Sequence, residues 1–345
     1  MSVLVTGGAG FIGSHMVIDL LDAGEDVVVL DNLSTGFEWA VPRHADLVVA
    51  DAGDQALVTK LLAEKKIDAI VHFAGSIVVP DSIADPLGYY ANNTVASRAL
   101  MECAVRGGVE HFIFSSTAAV YGLPQHGPVG ENAELAPISP YGSSKMMTEI
   151  MLADTAAAHD LRYVALRYFN VAGADPAGRS GQSTPNATHL IKVACQTALG
   201  LRSHIDIFGT DYPTPDGTCV RDYIHVTDLV RAHRAALSYL REGGSSQVLN
   251  CGYGRGFSVR EVIATVKRVS SADFDVRETG RRPGDPASIV ADAKRIKRVL
   301  QWRPELDDLE TIVSHALAWE RRLAERAIGT SRRRNSAAAD PVASL

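Results

Sequence analysis

Short apolar runs rich in Val and Ile recur through the first half of the chain, at residues 2–6, 26–30, 46–50, 68–73, 110–115 and 162–167. Unbroken rather than alternating hydrophobicity marks strands covered on both faces. Between the runs stand longer stretches whose apolar positions repeat at helical spacing. Residues 12–23 place Met16, Val17, Leu20 and Leu21 on one stripe, 54–66 do so with Leu57, Leu61 and Leu62, and 141–159 with Met146, Met147, Ile150 and Met151. The alternation predicts an α/β fold, a Rossmann-type doubly wound parallel sheet with right-handed crossovers and a ligand crevice beyond the strand carboxyl ends. After residue 170 the rhythm breaks into loops rich in Gly, Pro, Ser and Thr, with helical pieces at 188–200, 227–241 and 259–269. The expected organisation is a dinucleotide-binding domain at 1–170, to which 220–250 returns, and a smaller C-terminal substrate-binding lobe from 171–219 and 251–321. Residues 322–345 turn Arg- and Ala-rich and aperiodic, which predicts a disordered tail whose arginine run at 332–334 is solvated.

Composition narrows the partners. The 345 residues are 46% hydrophobic and 21% charged, enough to bury a large core. A net charge of −6 gives no general pull toward nucleic acid or an anionic membrane, and no run reaches the ~18 apolar residues of a membrane span. Neither nucleic acid nor membrane is expected as a partner. The four cysteines, Cys103, Cys195, Cys219 and Cys251, stand far apart without metal-ligand spacing, which predicts a reduced, cytoplasmic setting with no disulfide framework and no metal.

The first apolar run leads into Thr6-Gly7-Gly8-Ala9-Gly10-Phe11-Ile12-Gly13, which opens a helix. In such a loop Gly7 permits a tight turn, Gly10 lets the backbone approach a pyrophosphate, and Gly13 allows close helix–strand packing, with the anion at the helix N-terminus. Asp31 follows eighteen residues after Gly13 at the end of the second run, where a carboxylate binds an adenosine ribose 2′-hydroxyl and repels a 2′-phosphate. The cofactor implied is NAD. Asp51, ending the third run, is in reach of the adenine, although an ordinary strand-end Asp reads almost as well. A second constellation is Tyr141-Gly142-Ser143-Ser144-Lys145 after Pro140. Spacing i, i+4 puts Tyr141 and Lys145 on one helical face, so the ammonium is expected to favour the phenolate of a tyrosine acid/base. The fifth run delivers Ser115, Ser116 and Thr117 to a strand carboxyl end, where Thr117 is placed to relay a sugar proton.

Taken together these residues resemble the extended short-chain dehydrogenase/reductase superfamily, and within it the UDP-glucose (UDP-galactose) 4-epimerases. The resemblance runs from Val3 to about Trp319. Its most specific stretches are Leu30-Asp31-Asn32-Leu33-Ser34, His72-Phe73-Ala74-Gly75, Tyr89-Tyr90-Ala91-Asn92-Asn93, Leu166-Arg167-Tyr168-Phe169-Asn170, residues 207–214 and, above all, residues 217–226. It implies that Asp31, Asn32, Asp51, Ala52, Phe73, Ala74, Gly75, Asn92, Tyr141, Lys145 and Tyr168 contact NAD, to which the loop residues Phe11 and Ile12 and the strand-end Ser115 are added. It likewise implies a UDP-sugar site lined by Thr117, Asn170, Leu190, Phe208, Arg221, Tyr223, Arg282 and Asp285, together with His189 where other members carry asparagine. The forked donors of Arg221 and Arg282 suit a diphosphate. The implied reaction interconverts UDP-glucose and UDP-galactose in a homodimer joined near 86–106 and 141–159. Ile77 replaces a lysine that helps hold NAD in some members, and 287–289 lack a bulky tyrosine found nearby in others. UDP-N-acetylhexosamine and UDP-xylose/UDP-arabinose 4-epimerases therefore stay open as readings. A nucleotide-sugar 4,6-dehydratase needs an acidic pair where Ala118 and Ala119 stand, and a non-catalytic NAD-binding sensor has no use for Thr117, Tyr141 and Lys145.

Overall fold

The computed structural model describes residues 2–124, 127–282 and 284–337. Six strands and their helices follow the predicted alternation: β1 (Ser2–Thr6), α1 (Phe11–Asp22), β2 (Asp26–Asp31), β3 (Asp46–Val49), α2 (Gln55–Lys65), β4 (Ile67–His72), α3 (Val79–Ala84), α4 (Pro86–Tyr89), α5 (Ala96–Arg106), β5 (His111–Thr117), α6 (Pro140–Ala158) and β6 (Arg162–Tyr168). A π-helical segment, Tyr90–Val95, joins α4 to α5. The chain continues through β7 (Asn170–Ala172), α7 (Leu190–Ala198), β8 (His204–Phe208), β9 (Val220–His225), α8 (Val226–Arg241), β10 (Gln247–Cys251), β11 (Gly256–Ser258), α9 (Val259–Ser270), β12 (Asp275–Thr279), β13 (Ser288–Ile289), α10 (Lys294–Val299) and α11 (Leu309–Ala337).

The main sheet has seven strands in the order β10-β6-β5-β4-β1-β2-β3, all parallel. Strand order reverses between β1 and β4, so the carboxyl ends there open the crevice expected of a doubly wound sheet. Val3, Val5, Val71 and Ile113 pack with Met16, Leu20, Leu229 and Leu237 on one face. Leu4, Ile70, Phe112 and Phe114 pack with Leu61, Leu100 and Leu152 on the other. Burial on both faces explains why these strands read as unbroken apolar runs.

A second, smaller sheet centres on β9, flanked by β11 and β13 and paired through its far half with β7. Around it α7, α9 and α11 gather Ile191, Ile205, Val262 and Ile312 into a core of their own. Of the 220–250 stretch expected on the first domain, α8 and β10 lie against the main sheet, but β9 belongs to the smaller one. It pairs there with β7, β11 and β13, none of which belongs to the main sheet.

The expected tail also differs. Residues 322–337 continue α11, which runs to Ala337, while 338–345 lie outside the described residues. Ala, Arg and Glu are strong helix formers, so an Arg- and Ala-rich stretch extends a packed helix at little cost. The guanidinium of Arg326 lies 5.1 Å from the Trp39 ring and 5.6 Å from the Trp319 ring. Among the described residues, no helix is long and apolar enough to cross a membrane.

Candidate active site

The glycine loop is shaped by close approaches that only glycine tolerates. The Gly7 amide donates to the Leu30 carbonyl at 2.8 Å, and a Cβ on Gly7, whose φ is +71°, would come within 2.6 Å of the Ala74 nitrogen. One on Gly13 would meet the Gly7 carbonyl oxygen at 2.0 Å. Gly10 starts α1 with no side-chain cap, so no side chain takes up the amides of the first turn around Phe11 and Ile12. Asp31 braces the loop: its carboxylate accepts from the Ala9 amide at 2.9 Å and the Leu33 amide at 2.8 Å. Asn32 donates to Asp51 at 3.3 Å, and Asp51 accepts from the Gly53 amide at 2.7 Å, with Ala52 buried between. A glycine cradle, an uncapped helix start and carboxylates at the ends of β2 and β3 together fit a dinucleotide with a free ribose 2′-hydroxyl.

Phe73, Ala74 and Gly75 leave β4 toward the same crevice. Gly75 is pressed between Asn93 and Lys145, whose Oδ1 and Nζ would stand 2.9 and 3.6 Å from a Cβ. Asn92 donates to the Ser76 hydroxyl at 2.8 Å. Asn93, next to Asn92, is buried, donates to the Ser76 carbonyl at 2.9 Å and the Ser144 hydroxyl at 3.0 Å, and so ties this loop to α6. A polar residue repeating on the covered side of a helix is the only trace it leaves in sequence. Ile77 stands half exposed beyond this contact.

Tyr141 is set by the start of α6. Pro140 takes the first helical position, and the Ser139 hydroxyl caps the helix by accepting from the Gly142 amide at 3.2 Å. The Tyr141 phenol neighbours the Thr117 hydroxyl, which accepts from the Ala119 amide at 3.2 Å. Lys145 donates to the Ser115 carbonyl at 3.1 Å and lies 5.0 Å from the Phe114 ring centroid. Its burial lowers it to about 8. Burial raises the Tyr168 phenol, and the neighbouring Ser115 hydroxyl opposes the rise.

Lys145 shares a helical face with Tyr141, and its ammonium is engaged by the Ser115 carbonyl. Burial, reinforced by Tyr168, drives Tyr141 far above the ordinary tyrosine value, and the Thr117 hydroxyl pulls the other way. Further positive charge beside the ring is needed before the phenolate forms near neutrality.

On the lobe side, Asn170, His189, Leu190 and Tyr223 line one pocket of about 460 Å³ together with Phe11 of the glycine loop. The pocket thus bridges the two sheets. His189 precedes α7, contacts Gln182 at 3.5 Å, and is lowered by burial and by Lys192. The buried Lys192–Glu320 ion pair and Trp319 complete the wall. None of these three was singled out from sequence, because the pair closes across more than a hundred residues. A second group lies along β9. The Arg282 guanidinium is 3.6 Å from the Phe208 ring centroid. Arg221 donates to the Val220 and Pro286 carbonyls at 2.9 and 2.8 Å and meets Asp285 at 3.5 Å. Arg221 and Tyr223, two apart on one strand, connect the groups; burial raises the Tyr223 phenol and Arg221 opposes the rise. Ser288 and Ile289 pair with Val220 and Arg221, so 287–289 do adjoin this wall.

A doubly wound sheet carrying a dinucleotide loop and a Tyr/Lys/Thr centre defines the class, and residues 3–252 match the NAD dependent epimerase/dehydratase family, to which the chain belongs. More particularly, it is 56% identical over 327 residues to a UDP-glucose 4-epimerase of Azospirillum brasilense, covering 95% of this chain and 94% of that one. Its fold superposes on the UDP-glucose 4-epimerase of Brucella ovis in complex with NAD with a TM-score of 0.89 at 44% identity, covering 92% and 98% of the two chains. It superposes on the UDP-Glc/GlcNAc 4-epimerase of Campylobacter jejuni with a TM-score of 0.82 at 48% identity, covering 93% and 99%.

Proposed function

We propose that this protein interconverts UDP-glucose and UDP-galactose by inverting C4 of the sugar with bound NAD. The observation that carries the reading is the convergence of Tyr141 and Lys145 at the start of α6 with Thr117 at the carboxyl end of β5, in the crevice that the glycine loop opens at the carboxyl end of β1. When bound, NAD supplies a hydride acceptor and then the donor, so each turnover has no net redox. Gly7, Gly10, Gly13 and the amides of Phe11 and Ile12 hold the pyrophosphate, Asp31 and Asn32 the adenosine ribose, and Asp51 and Ala52 the adenine side. Phe73, Ala74, Gly75, Asn92, Ser115, Lys145 and Tyr168 enclose the nicotinamide half.

Tyr141 takes the O4 proton, directly or through Thr117, as C4 is oxidised, and returns it when C4 is reduced from the opposite face. Thr117 is held by the Ala119 amide, so its hydroxyl hydrogen points toward a partner other than the backbone. Arg221 and Arg282 grip the diphosphate, with Asn170, His189, Leu190, Phe208, Tyr223 and Asp285 around the nucleotide. Anchoring at that end leaves the sugar free to turn over between the two half-reactions. We assign cofactor binding to the 1–170 half and sugar-nucleotide binding to the lobe, and place the protein in the cytoplasm, where its four buried thiols stay reduced. The exposed apolar residues of α3 to α6 support a homodimer.

A second substrate is favoured by one feature. The wall at 287–289 holds Ala, Ser and a buried Ile in place of a bulky aromatic side chain, which leaves room for an N-acetyl group. Purified protein incubated with UDP-galactose, UDP-GalNAc and UDP-arabinose, followed by NMR, tests both readings. Equilibration of UDP-galactose with UDP-glucose is expected, with UDP-GalNAc turned over as well; no change in any of the three, even with added NAD, removes the epimerase reading.

A further inference from the structure

A buried ion pair lies directly beneath the reacting groups and takes no part in the steps above. Glu149 sits on α6 one turn beyond Lys145 and two beyond Tyr141, on the same face, and it and Arg167 each have side chains only 5% exposed. Its carboxylate accepts from Arg167 Nε at 3.0 and 3.1 Å, from Arg167 Nη2 at 2.5 Å, and from the Ser116 hydroxyl. These bonds fill its lone pairs and leave none for a substrate. Arg167 Nη1 continues to the Tyr121 hydroxyl at 3.0 Å and the Glu131 carbonyl at 3.3 Å, and the Tyr121 phenol donates to Asn250 at 2.6 Å.

The network's attachment points fall beside the active centre. Ser116 directly precedes Thr117 on β5, Arg167 directly precedes Tyr168 on β6, and the two strands pair Ser116 with Arg167 and Thr117 with Tyr168. Stability alone does not call for such a pair, since apolar residues of similar volume in its place are often neutral or stabilising. Apolar contact, however, lets a helix slide or turn over a sheet, whereas a bidentate guanidinium–carboxylate fork fixes distance and angle together. We propose that Glu149 is a positioning residue, which with Arg167 and Ser116 sets the register of α6 on β5 and β6 and so holds Tyr141 on Thr117.

The rate readout rests on the epimerase reading. In the NAD-loaded double variant Glu149→Met/Arg167→Met, kcat falls about tenfold or more while KM stays within twofold, as expected for misplacement of a reacting group by a fraction of an ångström to 1 Å. Hydrogen exchange at the amides of residues 141–145 quickens in the same protein. A kcat within twofold of wild type overturns the proposal. Should the double variant not fold, Ser116→Ala keeps the ion pair and removes only its link to β5; a kcat about threefold lower at unchanged KM supports the clamp, and an unchanged kcat overturns it. If the wild-type protein turns over no UDP-sugar, the epimerase reading fails on its own, and exchange at 141–145 decides this one: unchanged protection in the variant that folds overturns it.

Discussion

At the scale of single residues, the acid/base assignment turns on charge rather than on spacing. Tyr141 and Lys145 lie one turn apart, but the ammonium bonds the Ser115 carbonyl and the buried phenol is driven up. Such a tyrosine is a poor base until positive charge adjoins it, which suits a site that is active only with its oxidised cofactor in place. General acid/base groups are worth about 10² to 10⁴ in rate, so Tyr141→Phe is expected to lower kcat by at least about 100-fold. KM for UDP-galactose should move by no more than a few-fold, because the far end of the ligand is proposed to be held by Arg221 and Arg282 rather than by Tyr141. Turnover within a few-fold of wild type in steady-state assays would remove Tyr141 from the mechanism.

At the scale of elements, four neighbouring helical pieces leave apolar side chains in water. Ile83 of α3 is 62% exposed, Leu87 of α4 78%, Val95 at the end of the π-helical segment 58%, and Ile150 of α6 52%. α3, α4 and α5 all pack against α6. Burying each aliphatic side chain returns roughly 1.5–3 kcal/mol, so the proposed homodimer is expected to form here. Sedimentation is expected to give a dimer for the wild type and a folded monomer for Leu87→Asp/Ile150→Asp; a wild-type monomer at micromolar concentration defeats the reading. These same helices show what sequence could and could not convey. β1 to β6, the glycine loop, Asp31 and the Tyr141/Lys145 pair were legible because each rests on local spacing. β9 was not, since a short polar strand pairs with three partners far away in sequence. The Glu149–Arg167 and Lys192–Glu320 pairs were equally hidden, because each looks like a surface charge until another element covers it. Composition misled at α11, where Arg and Ala signalled an unpacked tail but served as helix formers.

At the scale of the whole molecule, the fold stores four of its histidines neutral. His15, His72, His225 and His233 are all buried, and burial lowers them to about 4, 3, 3 and 4. Their neighbours suit the uncharged ring: His72 lies between the Thr6 and Ser97 hydroxyls at 2.6 and 2.8 Å, and His225 accepts from the Thr227 amide at 3.1 Å while facing His315 at 2.9 Å. Unfolding exposes all four to water, where each titrates near 6.5. Between pH 6.5 and about 4 the unfolded chain therefore binds more protons than the folded one, and stability falls as pH falls. Each histidine contributes about 1.4 kcal/mol per pH unit inside its window. Asp222, raised by burial although three backbone amides oppose the rise, acts in the opposite sense but is one group against four. The urea midpoint is accordingly expected to hold near neutrality and drop steeply below pH 6, with proton uptake on unfolding at pH 5 approaching four per chain from these rings. A midpoint unchanged between pH 7 and pH 5 would mean that the rings titrate alike in the folded and unfolded chain, and with it that the hydroxyl–imidazole–hydroxyl bridge joining β1, β4 and α5 does not hold the His72 ring neutral.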